Sequence, residues 1–158
     1  MREIVFKAKR IDNGEWIIGN LVVSEDAEEG WKAIIIPTFD SNMFTKGGAK
    51  GDLGFENWHR VEENTICQYT GLTDKNGNKI WENDIVKRYN ANGDEWRISK
   101  IVWADHSLNM GWCIEDVKSL TEYSNRLFKI GFDVNDTEKC EVIGNIFDNL
   151  ELLEGGAE

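Results

Sequence analysis

The 158 residues carry 29 Asp and Glu against 18 Lys and Arg, a formal charge of −11, so the mean field repels phosphate backbones and anionic membrane surfaces. With 41% apolar residues, including seven Trp and seven Phe, the chain can build a core, and no run approaches the roughly 18 consecutive apolar residues of a membrane span. Met1 to Lys7 breaks into charge before a signal-peptide core forms. Cys67, Cys113 and Cys140 are odd in number and lack a CxxC pair, which suits buried thiols in a reducing compartment, the cytoplasm.

Period-2 patterning recurs along the chain and period-3.6 patterning does not, which predicts a mainly β protein with little helix. The first strand is expected over residues 2–9, where Ile4, Phe6 and Ala8 share one face and Glu3, Lys7 and Lys9 the other. Three Asn-Gly pairs then predict two-residue type I′ hairpin loops, because both central positions of that turn need positive φ. Asn13-Gly14 would set Ile11 opposite Trp16. Asn76-Gly77 would set Asp74 opposite Lys79 and Thr73 opposite Ile80, the best-specified of the three. Asn92-Gly93 would set Tyr89 opposite Trp96 and Arg88 opposite Arg97, between Ile85-Val86-Lys87 and Ile98 to Trp103.

Further strands are expected at Trp31 to Ile36, Trp58 to Glu62, Met110 to Val117, Leu127 to Phe132 and Cys140 to Ile146. The single proline, Pro37, ends a strand or caps a turn. Ser41 to Phe55 holds four glycines and reads as a mobile loop, one that binding could order. Residues 154–158 read as a frayed tail.

The motifs of catalysis are absent from this pattern. There is no GxSxG, P-loop or GxGxxG run, and His59 with Cys67 is the one base and nucleophile pair worth inspecting. His59, His106 and the three cysteines are too scattered for a zinc site. Asp74 to Asn78 opens like a calcium loop, but its sixth position is Lys79 and its twelfth Ile85, where Gly and Glu are needed. Asp133, Asn135, Asp136 and Glu138 fail the same test and read as a solvated turn. The sequence therefore predicts no metal, no cofactor and no enzyme.

One local exception to the acidic average is the third hairpin, where Lys87, Arg88, Arg97 and Lys100 surround Tyr89 and Trp96. Interleaved basic and aromatic side chains are what single-stranded nucleic acid uses, through phosphate attraction and base stacking. The competing reading has Arg88 and Arg97 neutralised by neighbouring carboxylates while the aromatics pack inward.

The run Gln68-Tyr69-Thr70-Gly71-Leu72-Thr73-Asp74-Lys75-Asn76-Gly77-Asn78-Lys79-Ile80-Trp81-Glu82-Asn83-Asp84-Ile85-Val86 resembles the signature of the YopX family of phage and prophage proteins. Met1 to Phe6 with Asn13-Gly14-Glu15-Trp16, and Glu141 to Asn149 including Gly144 and Asn145, also resemble it, so the likeness brackets nearly the whole chain. The resemblance implies a small SH3-like barrel with additional antiparallel hairpins, and an origin in a phage or prophage of a Gram-positive host. It implies one domain over 1–153, with an N-terminal β subregion over 1–62 and the barrel core over 63–153, and it implies no activity. Where the family usually has Gly in a Glu-Gly-Asp turn, this chain has Asn83; Asn also accepts a left-handed backbone, so positive φ is expected there. Asp84 is expected to hydrogen-bond amides of the same turn. The function that follows is a phage or prophage accessory protein that binds a host or phage protein, self-associating, through a sheet edge or an aromatic surface. The basic hairpin offers single-stranded nucleic acid as the alternative.

Overall fold

The structure, a computed structural model, describes residues 3–38, 43–46, 52–106, 109–119, 129–132 and 134–154. Among them are thirteen strands, two 3₁₀ turns and one four-residue helical turn, so the chain is mainly β. It divides into two compact units, Met1–Gln68 and Tyr69–Glu158.

The first unit holds β1 (Phe6–Lys9), β2 (Trp16–Val23), β3 (Ala33–Pro37), β4 (Met43–Lys46), β5 (Asp52–Phe55) and β6 (His59–Arg60), followed by the start of β7 (Cys67–Thr73). Its antiparallel sheet runs β6-β3-β2-β1, and β1 continues onto β7 through Phe6 opposite Gln68. One face of the sheet buries Ala8, Ala33, Ile35 and Val61, with Phe6, Ile17, Leu21 and Ile66 packed against them. The side chains in between point the other way, as the strand period demands. Val22 and Ile34, direct partners across β2 and β3, lie on that second face with Ile36. The sheet is therefore apolar on both sides. At Gly19 the strands come so close that a Cβ would strike the carbonyl of Ile36, which is why β2 has glycine at a buried position.

The stretch Ser41 to Phe55 is not all loop. It contains an antiparallel pair, with Met43 of β4 opposite Phe55 of β5, Phe44 opposite Gly54 and Lys46 opposite Asp52. The first strand is also shorter than expected, because Ile4 lies outside it and is exposed.

The second unit holds the rest of β7, then β8 (Lys79–Trp81), β9 (Asp84–Tyr89), β10 (Glu95–His106), β11 (Asn109–Ser119), β12 (Lys129–Gly131), the helical turn Val134–Thr137 and β13 (Cys140–Asn145). Five of these strands form an antiparallel sheet in the order β12-β11-β10-β9-β13. The sheet is open at β12 and β13, so these strands do not close into the SH3-like barrel that the resemblance implied. Ile80, Val86, Ile101, Ile114, Phe132 and Cys140 form its core. All three cysteines are free and buried, and burial first, then the nearby carboxylates of Asp74 and Asp136, push the Cys140 thiol up to about 12.

The three Asn-Gly pairs all sit in hairpin loops, but not as type I′ turns. Gly14, Gly77 and Gly93 have positive φ, whereas Asn83 is the one non-glycine residue that does among those described. Each glycine instead closes a longer loop. Arg10 pairs with Glu15 around a four-residue loop, Asp74 with Asn78 and Asn90 with Asp94 around three-residue loops. Each two-residue expectation is displaced accordingly: Lys9, not Ile11, is opposite Trp16, and Thr73, not Asp74, is opposite Lys79. In the third hairpin Tyr89 is opposite Glu95, and a bulge between Glu95 and Arg97 then restores the expected Arg88 and Arg97 pair.

Candidate functional site

The turn from Ser24 to Lys32 and the approach to β6 bring two tryptophans to the second face of the first unit's sheet. Trp31 N–H donates to the Glu28 carbonyl at 2.9 Å, and Ser24 N–H to the Lys32 carbonyl at 2.8 Å, which fixes the turn at both ends. The Trp31 and Trp58 rings then stand 5.9 Å apart at 47°, with the Arg60 guanidinium 4.6 Å from the centre of Trp31. Together with Val22, Ile34, Ile36 and Phe55 they wall a cavity of 390 Å³, with Ser24 and Lys32 the polar members of the lining. Trp31 and Trp58 remain 48% and 45% exposed, so the groove is open to solvent. An open groove with paired aromatic walls takes an apolar side chain, and its rim is cationic in an acidic protein. The sequence reading began a strand at each of these tryptophans, whereas both precede their strands, β3 and β6, and it did not foresee their meeting. Val22, Ile34 and Ile36, apolar on the face away from the core, were the available signal.

Beside the groove, His59 lines a smaller hollow of 160 Å³ with Asp12, Trp58 and Arg60. Burial and the charge of Arg10 lower its pKa against the opposing pull of Asp12. The Cys67 thiol is wholly buried and donates to the Thr65 carbonyl at 3.4 Å.

The basic hairpin does not present its six residues as one stripe. Arg97 is 1% exposed, and its Nη1 donates to Asp116 at 2.8 Å; Arg88 Nη1 reaches the other oxygen of Asp116 at 3.0 Å, and Ser99 donates to the same carboxylate at 2.8 Å. Trp96 is half-buried, with the guanidinium of Arg97 at 4.6 Å and that of Arg88 at 5.1 Å from its ring centre. Lys87 pairs with Glu95 at 2.7 Å, and Lys100 is half-buried in β10. The Tyr89 hydroxyl donates to Glu141 at 2.8 Å under the Lys75 ammonium, 3.6 Å from the ring centre. Hydrogen bonds from Lys75 and Tyr89 draw the Glu141 carboxyl below its ordinary range.

The residues of the 68–86 signature hold backbone. Gln68 is half-buried beside β1. Tyr69 is buried with its ring 5.4 Å from Trp81, Thr70 Oγ1 donates to the Ile80 carbonyl at 2.7 Å, and Gly71 has φ of 87°. Asp74 accepts from the amides of Asn76 and Asn78, from the Asn78 side chain and, across to β13, from the amide of Val142. Burial pushes its carboxyl up, and these donors together overcome that and leave it below the usual carboxylate range. Asn83 takes φ of 65°, as expected of a residue standing where Gly is usual, and donates to the Ile101 carbonyl. Asp84, buried, accepts from Trp81 N–H at 2.8 Å. Gly144 leaves room for the Asn149 side chain, whose Oδ1 accepts from Asn145 N–H, while Asn145 Oδ1 accepts from the amides of Phe147 and Asp148.

Among the described residues no group of three His, Cys, Asp or Glu side chains could hold a metal ion, and no helix is long and apolar enough to cross a membrane. Asp133 and the Asn135 side chain of the acidic cluster lie outside what is described.

The YopX protein family model matches residues 7–154. The chain belongs to the YopX family. A solved structure, that of protein EF1440 from Enterococcus faecalis, superposes with a TM-score of 0.58 at 22% identity, covering 98% of this YopX chain and 100% of the other. At that identity the likeness concerns the fold. A search of the curated proteins finds no match.

Proposed function

We propose that this YopX protein is a non-enzymatic accessory protein of a phage or prophage that binds a protein partner in the groove between Trp31 and Trp58. One observation supports it above others: two half-exposed tryptophans 5.9 Å apart wall an apolar cavity of 390 Å³. Soluble surfaces seldom leave such aromatics open without a use, and tryptophan and arginine are the residues that dominate binding energy at interfaces. Lys32 and Arg60 beside the groove define the partner's chemistry, an apolar or aromatic anchor flanked by carboxylates.

The test compares the wild type with Trp31→Ala and with Trp103→Ala, which removes a tryptophan of similar exposure in the second unit. Proteins captured from host lysate are identified by mass spectrometry and titrated as pure chains. Wild type and Trp103→Ala should bind one such protein alike, with Trp31→Ala weaker by roughly 30-fold, the effect of losing one aromatic anchor. Equal binding by all three would end the proposal. Light scattering adds a second arm: a dimer mass that Trp31→Ala alone abolishes would make the occupant a second copy of this chain.

A further inference from the structure

Among the large apolar side chains that the described residues leave exposed, Leu150 has a distinct setting. It opens the 3₁₀ turn Leu150–Leu152 at 59% exposure, within residues 140–158, a stretch of five carboxylates and no Lys or Arg. Residues three apart eclipse in such a turn. Leu153 N–H donates to the Leu150 carbonyl at 3.0 Å, so Leu150 and Leu153 form one apolar ridge and Glu151 and Glu154 a carboxylate ridge beside it. Both carboxylates are exposed, and neither has an ion pair among the described residues. Other exposed apolar residues lack this combination: Ile4 and Ile11 each have an arginine within two positions, and Ile18 and Trp103 lie mid-strand.

The groove between Trp31 and Trp58 has the complementary chemistry. Its walls are apolar, Lys32 is the one charged residue of its lining, and Arg60 lies against Trp31. Among the described residues neither cation has an ion pair. The carboxylates of the neighbouring turn, Glu25, Asp26, Glu28 and Glu29, are exposed and none lines the cavity. An apolar cavity of about 150 Å³ is enough to hold benzene. The 390 Å³ here therefore has room for the ends of two leucine side chains, with two cations placed to meet two carboxylates.

We propose that the groove of one copy takes segment 150–154 of a second copy, with Leu150 and Leu153 against the tryptophans and Glu151 and Glu154 toward Lys32 and Arg60. This rests on the reading of the groove as a protein-binding site and names its occupant. Groove and segment are different patches, so the contact is head-to-tail, and copies add beyond two unless the chain of contacts closes into a ring.

Light scattering of the full-length chain, read as mass against concentration, tests it. At an ionic strength of about 0.15 M, charges more than about 8 Å apart are screened, so the net charge of −11 on each copy opposes association least while contact pairs persist. The wild-type mass should rise above that of a monomer. Leu150→Asp and Trp31→Ala, both at exposed positions, should each weaken association at least ten-fold, the effect of losing one buried apolar anchor. Mixed together, these two variants should again form a complex, of one copy each, because one supplies an intact groove and the other an intact segment. If Trp31→Ala does not fold, Lys32→Glu takes its place as the groove variant. A wild type still monomeric at about 1 mM, a Leu150→Asp chain that associates as the wild type does, or a mixture that stays monomeric would each overturn the proposal. A lysate protein lost on Trp31→Ala would then leave the groove reading standing with a different occupant, whereas equal capture by wild type and Trp31→Ala would end that reading too.

Discussion

The two units handle their surplus in opposite ways. The first has more apolar surface than its core can take, and leaves Val22, Trp31 and Trp58 on the open face of its sheet. The second has charge to spare and takes it inside, where Arg88, Arg97 and Ser99 converge on Asp116. Exposed apolar groups cost little when single, but a buried charge must be matched group by group. The first unit should therefore tolerate surface change, and the second should fail when one polar member is lost.

The sharpest break of that comparison is Asp116→Ala, which takes a shared carboxylate from two buried guanidinium groups. Urea denaturation should show a loss of about 3–5 kcal/mol, with hydrogen exchange placing the damage in β9 to β11. Asp74→Ala comes next, at about 2–3 kcal/mol, because the amides of Asn76, Asn78 and Val142 lose one shared, buried acceptor together. The counterpart Asn90→Ala, which loses only exposed hydrogen bonds, should cost only about 0.5–1 kcal/mol. Asp74 also sets a pH dependence. Its folded pKa lies below the unfolded value, so its contribution is complete above the ordinary carboxylate range and disappears as pH falls through the folded value. The denaturation midpoints of wild type and Asp74→Ala should therefore converge below about pH 4.

In the first unit the largest effect comes from backbone rather than side chains. Gly19→Ala drives a methyl group against the Ile36 carbonyl and should lower thermal stability by about 2 kcal/mol, seen in calorimetry as an earlier transition. The smallest effect expected is a gain. Asn83→Gly releases a non-glycine residue from φ of 65° and should raise stability by up to about 1 kcal/mol, with no change in the spectrum of the folded state. Loss of stability there would mean that the Asn83 side chain matters more than its backbone.

The hairpins were legible in sequence as places but not as registers. Asn-Gly marks a site where positive φ is tolerated, yet only the glycine uses it here. The deciding residue lies two positions earlier. Asp74 and Asn90 each accept from the amides two and four residues on, which favours a type I turn closed by glycine over the two-residue turn. That shift by one flips side chains between faces, so Lys79 meets Thr73 and its ammonium lies 4.7 Å from the centre of the Tyr69 ring. The Arg88 and Arg97 pair was nonetheless expected correctly, because the bulge at Trp96 cancels the shift. Asp116, the partner that draws both arginines inside, lies far along the chain on β11, and no local pattern announces it. The groove escaped for the same reason, since Trp31 and Trp58 fall just outside the strands and meet only in three dimensions.

The three Asn-Gly loops carry a chemical consequence. An Asn-Gly bond ages by deamidation when the glycine nitrogen attacks the asparagine side chain. In all three loops that nitrogen is already committed, Gly14 to the Arg10 carbonyl, Gly77 to Asp74 and Gly93 to Asn90, at 2.9 to 3.0 Å. Attack must wait for the hairpin to open, so isoaspartate accumulating at Asn13, Asn76 and Asn92 over weeks of storage becomes a clock for the opening of each one. The Asn76 clock, tied to β13 through Asp74 and Val142, should run slowest.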